Sequence, residues 1–126
     1  MARFATAINC MDGRAQKPVI EYMQKNFEVD YVDMITEPGP NAILSGNKDA
    51  DIIGSLKKKV GISVNKHNSQ VIAVVAHYDC AGNPVSDDDQ KEQLRKALKV
   101  INLWGFSVRH IIALWLDEYF RPGIID

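Results

Sequence analysis

The sequence lacks any apolar run near the roughly 20 residues that a membrane-spanning helix needs, so no span across a bilayer is expected. It also lacks an excess of either charge. Its 15 Lys and Arg stand against 16 Asp and Glu, a formal net charge of −1, which leaves no electrostatic footprint for nucleic acid or an anionic membrane surface. Internal repeats, low-complexity tracts and linker-like stretches are missing too. Cysteine is scarce: Cys10 and Cys80 are the only two, too few for a disulfide framework. The opening segment carries one arginine and a short apolar run, but Asp12 and Arg14 follow where a cleavage region would stand. A secretory signal is therefore not expected. The expected setting is cytoplasmic, where thiols stay reduced. Two cysteines there read as ligands, a nucleophile or core residues before they read as a bridge.

What is present is an ordinary globular composition, 46% apolar and 25% charged over 126 residues. That is enough for one core and hence a single domain over 1–126. Strand-like and helix-like segments alternate. Residues 3–9 read as a buried strand. Pro18 suits the first turn of a helix, and Val19, Ile20, Met23 and Phe27 follow at helical spacing. Residues 29–35 read as a second strand. The stretch "EPGPN" at 37–41 sets two prolines around a glycine and reads as a turn without regular structure. A helix over about 48–66 carries Ile52, Ile53, Leu56, Val60 and Val64 on one stripe.

The plainest strand is 70–76, where six consecutive apolar residues, Val71 to Ala76, imply burial on both faces as in a parallel sheet. Ser86 followed by Asp87, Asp88 and Asp89 marks a helix start. The hydroxyl caps free N–H groups and the carboxylates oppose the positive end of the dipole. Leu94, Ala97, Leu98 and Ile101 trace the buried face, and Gly105 suits the stop. Residues 110–116 form a fourth buried strand, followed by an unassigned tail. This β-α-β-α-β-α-β order predicts a three-layer α/β fold, a central parallel β-sheet of about four strands flanked by helices.

In such sheets ligands bind outside the carboxyl ends of the strands, where strand order reverses. Cys10 ends the first strand, and His77 and Cys80 follow the third. With those strands as neighbours, all three side chains converge on one crevice. Two thiolates and an imidazole are preferred zinc (Zn2+) ligands, and a catalytic zinc keeps a fourth position open. Two thiolates balance the metal charge, so a bound water is acidified less than in a three-histidine site, and a nearby carboxylate helps. Asp12 stands two residues after Cys10, and Arg14 is placed to pair with it and hold it ionised.

At these residues the chain resembles the β-class carbonic anhydrases. "CMDGR" at 10–14 and "HYDC" at 77–80 are similar to that family's Cys-x-Asp-x-Arg and His-x-x-Cys motifs. The resemblance implies that Cys10, His77 and Cys80 bind zinc, and that Asp12 and Arg14 control the fourth position and assist the bound water. It also implies a parallel sheet in the order 2-1-3-4, assembled into homodimers or larger homo-oligomers. The implied substrate is a small molecule: carbon dioxide, or carbonyl sulfide or carbon disulfide, which related enzymes on the same scaffold hydrolyse. Three departures stand out. Gly13 occupies a position where members commonly carry Ser. The segment "ITEPGPN" replaces an Arg-Asn-Ala-Gly-type segment. The N-terminal helical arm that helps build the family's dimer and pocket is expected to be absent.

Other readings of the same residues remain open. The metal could be held without catalysis. Without metal, Cys80 could be a nucleophile activated by His77. Cys10 and Cys80 could also be packing residues, and Asp12 and Arg14 a surface ion pair of little energetic weight. Asp79, inside the ligand loop, is expected to orient His77. His67 and His110 have no partner at ligand spacing, Lys57 to Lys59 read as a solvated helix face, and Trp104 and Trp115 read as core.

Overall fold

A computed structural model describes all residues 1–126. In chain order the elements are β1 (Phe4–Cys10), a 3-10 turn (Gly13–Ala15), α1 (Gln16–Phe27), β2 (Tyr31–Glu37), α2 (Pro40–Gly46), α3 (Ala50–Lys66), β3 (Val71–His77), α4 (Asp87–Leu103), β4 (His110–Leu116) and β5 (Pro122–Ile125). They form one sheet in the order β2-β1-β3-β4-β5. The first four strands are parallel, as expected, and β5 runs antiparallel to β4. The sheet therefore has five strands rather than four.

The fifth strand escaped sequence reading because it is four residues long and contains Pro122 and Gly123, both poor strand formers tolerated at an edge. A tight turn delivers it. The Asp117 carboxylate accepts from the backbone N–H groups of Tyr119 at 2.8 Å and Arg121 at 3.0 Å, and Phe120 takes a left-handed conformation with φ 57°.

A second correction concerns "EPGPN". Pro40 does not forbid a helix there; it begins α2, because a first-turn residue needs no N–H donor and proline's φ is already helical. Gly39 precedes it at φ +55°, and a Cβ on it would stand 2.6 Å from the Asn83 Cβ. Both the conformation and the space demand glycine. The second strand runs from Tyr31 to Glu37, two residues later than expected, because Glu28 closes α1 in the left-handed region and the backbone N–H groups of Asp30 and Tyr31 both donate to the Arg3 carbonyl.

Alternation along the strands sends side chains to two cores. Ala5, Ala7, Ala73, Val75 and Leu114 face α1, which contributes Val19 and Met23. Ile8, Ile72, Val74 and Trp115 face α3 and α4, which contribute Leu56, Val60, Leu94 and Ile101. The result is three layers with β3 buried on both faces. No helix is long and apolar enough to cross a membrane.

The expected start of α4 is present: Ser86 Oγ accepts from the Asp89 N–H at 3.1 Å, and three aspartates occupy the first turn. Replacing Ser86 by Ala should lower the unfolding free energy by about 1 kcal/mol, read from the midpoint of a urea titration. An unchanged midpoint would contradict the capping role.

Candidate metal centre

β1 pairs with β3 through Thr6↔Ile72, Ala7↔Ala73 and Ile8↔Val74. β2 and β3 lie on opposite sides of β1, so the point where strand order reverses falls between β1 and β3. The chain leaves both strands there. Cys10 ends β1 and His77 ends β3, and Cys80 follows in the loop, where Asp79 takes a left-handed φ of 57°. All three side chains are buried, at 4%, 1% and 5% exposure.

One sulfur or nitrogen from each of these residues lies within 4.8 Å of the other two. The two sulfurs are 3.9 Å apart. A disulfide holds its sulfurs at about 2.05 Å, whereas two thiolates on a tetrahedral zinc, each about 2.3 Å from the metal, stand about 3.8 Å apart. The cysteines are unbonded and at metal-sharing distance.

The imidazole is prepared in the same sense. His77 Nδ1 lies 2.7 Å from the Tyr78 carbonyl, an acceptor only, so Nδ1 carries the proton and donates it. The neutral ring then offers its lone pair at Nε2. That atom is the one buried side-chain nitrogen or oxygen in the chain without a hydrogen-bond partner, a costly state unless something else satisfies it. Asp79 does not orient His77, contrary to expectation: the carbonyl of Tyr78 does so, because it lies one residue away in the same strand exit.

Asp79 instead joins the Asp12–Arg14 pair. Arg14 Nη2 donates to Asp12 Oδ2 at 2.7 Å and Nε to Oδ1 at 3.1 Å, a bidentate fork, while its backbone N–H reaches Oδ1 at 2.9 Å. The other side of the guanidinium meets Asp79, Nη1 to Oδ2 at 3.4 Å and Nη2 to the carbonyl at 3.1 Å. The Phe120 ring lies 4.7 Å beneath the guanidinium carbon and 5.6 Å from the His77 ring. Asp12 Oδ2 approaches His77 Nε2 to 3.9 Å, so the dyad borders the cluster.

The charges follow this geometry. The Arg14 fork holds the Asp12 carboxyl down at about 2 despite partial burial, so it is ionised throughout the neutral range. Burial alone would raise the Cys10 thiol, but the His77 imidazole when it carries a second proton, and the backbone at Gly39 and Asp12, bring it down to about 7. Cys80 moves the other way, pushed up first by burial and then by the neighbouring Cys10. Cys10 is thus the readier thiolate, and the reading of Cys80 as an activated nucleophile gains no support.

The cluster's outer wall is built by two interlocked loops. A Cβ on Gly82 would stand 2.7 Å from the Pro38 Cβ, so the segments after β2 and after β3 touch backbone to backbone. Four carboxamides tie them to α4. Asn41 Nδ2 donates to Gln90 Oε1 at 2.8 Å and Gln93 Oε1 at 2.9 Å, Asn83 Nδ2 donates to the same two oxygens at 3.2 and 2.7 Å, and Gln90 Nε2 donates to the Asn83 carbonyl at 2.7 Å. Sequence reading missed this cluster. Its signal was Gln90 on the stripe that continues as Leu94, Ala97 and Ile101, a polar residue on a buried face. Phe120 was missed with the tail that carries it.

Residues 1–126 match, over their whole length, the family model described as "Putative carbonic anhydrase". The chain belongs to that family. Among solved structures, this family member is similar to β-carbonic anhydrase isoform I of the protozoan Trichomonas vaginalis, with a TM-score of 0.58 at 16% identity, covering 95% of this chain and 81% of that one. It is also similar to the tetrameric β-carbonic anhydrases of the filamentous ascomycete Sordaria macrospora, with a TM-score of 0.55 at 13% identity, covering 98% of this chain and 80% of the other. Identities this low carry the fold, and the fold is that of the β-carbonic anhydrases. None of the curated proteins matches the sequence.

Replacing Gln90 by Leu removes an acceptor that the buried Asn41 and Asn83 carboxamides share and leaves the Asn83 carbonyl with the Val85 N–H as its one donor. The unfolding free energy should fall by about 2 kcal/mol in a urea titration. A loss below about 0.5 kcal/mol would show that the amide cluster does not hold the loops.

Proposed function

We propose that the chain is a zinc enzyme that reversibly hydrates carbon dioxide, with Cys10, His77 and Cys80 as the metal ligands and Asp12 and Arg14 as the catalytic pair. The observation that carries this reading is the partnerless, buried Nε2 of His77 beside two sulfurs 3.9 Å apart. A structural core has no use for such a combination, and a zinc site requires it. When bound, zinc supplies Lewis acidity that lowers the pKa of a coordinated water.

The residues of the chain do the rest. Tyr78 fixes the tautomer and orientation of His77 through its carbonyl. Two thiolates compensate the metal charge and so weaken its acidifying effect, which makes a nearby base useful. Asp12 is placed for that role: ionised and 3.9 Å from His77 Nε2, it can accept a hydrogen bond from water on the open side of the site and orient it, although the Arg14 fork keeps it a weak base. Arg14 keeps both Asp12 oxygens engaged, which favours a carboxylate turned toward the guanidinium and leaves the fourth position to water and substrate. Asp79 and Phe120 brace Arg14 from its other sides. Gly13 leaves open space where a serine would stand, so the missing hydroxyl is not replaced by another group at that position.

We extend the reading in two directions. A homodimer or larger homo-oligomer is supported by the similarity to enzymes described as tetrameric. A reducing, cytoplasmic setting is supported by the need for both unbonded cysteines to remain thiols.

Purified protein should hold close to one zinc per chain by mass-spectrometric metal analysis, and Cys10→Ser should lose it. In a pH-indicator hydration assay, Asp12→Ala should keep the metal and lose about 100-fold in turnover. Hydration of carbon dioxide by the zinc-loaded protein no faster than buffer would overturn the proposed substrate. Carbonyl sulfide and carbon disulfide, assayed by sulfide release, would then separate a hydrolase from a non-catalytic zinc protein.

A further inference from the structure

At the opposite end of the sheet, where β1, β3 and β4 begin, lies a cavity of about 780 Å³. That volume suits a ligand of cofactor size, within the range of about 300–1,000 Å³. Arg3, Lys25, Lys66 and Arg109 line it from four separate segments, and Glu28 is its one lining carboxylate. None of these four cations makes an ion pair within the chain.

Lys25 and Lys66 sit in the last turns of α1 and α3, where a cation is favoured by the negative helix end. Arg3 and Arg109 precede strands and have no such duty on their own elements. The nearest further carboxylates are engaged: Asp30 accepts from the Arg3 backbone N–H at 2.8 Å, and Asp33 holds His67 Nδ1 at 2.7 Å and the Ser63 hydroxyl at 2.7 Å. Neither carboxylate lines the cavity, whose wall thus carries four cations against the single carboxylate of Glu28.

Four rings, those of Phe4, Phe27, His67 and His110, also line it. His67 stacks on Phe4 with centroids 4.1 Å apart and planes at 24°, and His110 packs on Phe27 at 5.5 Å. Because Asp33 takes His67 Nδ1, the ring is fixed and its Nε2 is left for another partner. Clustered Arg and Lys recognise phosphate by charge-assisted hydrogen bonds, and aromatic faces take a planar ring. We propose that this cavity binds a nucleoside polyphosphate, its phosphates on the Arg3–Lys25–Lys66–Arg109 rim and its base against the ring walls. The site is separate from the metal centre and does not depend on the hydratase reading.

The test is a two-dimensional amide NMR titration of the full chain with magnesium-saturated ATP, inorganic triphosphate and adenosine. ATP should shift the amides of Asn68, Gln70 and Arg109 saturably, with a dissociation constant below about 1 mM, while those of Tyr78 to Asn83 stay in place. Lys66→Ala combined with Arg109→Ala, both exposed positions, should weaken binding about tenfold, and Arg14→Ala should leave it unchanged. Triphosphate and adenosine should each bind more weakly than ATP. Absence of saturable shifts, shifts confined to the metal-side loops, or equal affinity in the double variant would overturn the proposal. Triphosphate binding as tightly as ATP would overturn the role of the ring walls.

Discussion

Parallel pairing of β1 with β3 is the constraint on which the rest of the molecule depends. The register Ile8↔Val74 is the last pair of that ladder, and beyond it the two chains part. Cys10 and His77 stand at the edge of the gap, and Cys80 returns into it. A slip of one residue in this register would turn Cys10 to the other face of the sheet and take its sulfur out of the cluster. The hydrophobic pattern prevents that slip. Ala5 and Ala7 must face α1 while Ile8 must face α3 and α4, so the packing that stabilises the sheet also places the sulfur.

The second constraint is the contact between the loops after β2 and β3. Gly39 and Gly82 allow two backbones to meet where a Cβ on either would lie under 3 Å from its neighbour. The buried carboxamides of Asn41, Asn83 and Gln90 then anchor both loops to α4. Buried polar groups of this kind are costly unless fully paired, and here they hold Cys80 and the backbone at Gly39 against Cys10. Stability and site geometry are coupled through the same hydrogen bonds. The dyad is held differently, at the surface, by an arginine braced between two carboxylates and an aromatic ring.

The four parallel strands were legible in the sequence, because runs such as Val71–Ala76 admit few readings, whereas their order, and with it the meeting of Cys10, His77 and Cys80 at one crevice, was implied by the resemblance to the β-carbonic anhydrases. The start of α4 was legible through Ser86 and its aspartates. What failed depended on context. Pro40 was read as a breaker, although proline at the first helical position starts a helix. β5 was invisible because a short edge strand containing Pro122 and Gly123 has no periodicity of its own. Asp79 was assigned to His77 by proximity in sequence, whereas its φ of 57° and its place beside Arg14 direct it elsewhere. The amide cluster required knowing which helix faces which loop.

Whether two sulfurs and one imidazole share a single metal ion is decided by X-ray absorption at the zinc edge of the purified protein. The predicted spectrum has two sulfur scatterers at about 2.3 Å and one imidazole nitrogen near about 2.0 Å, with a light atom completing four-coordination. A shell of nitrogen and oxygen alone would contradict it.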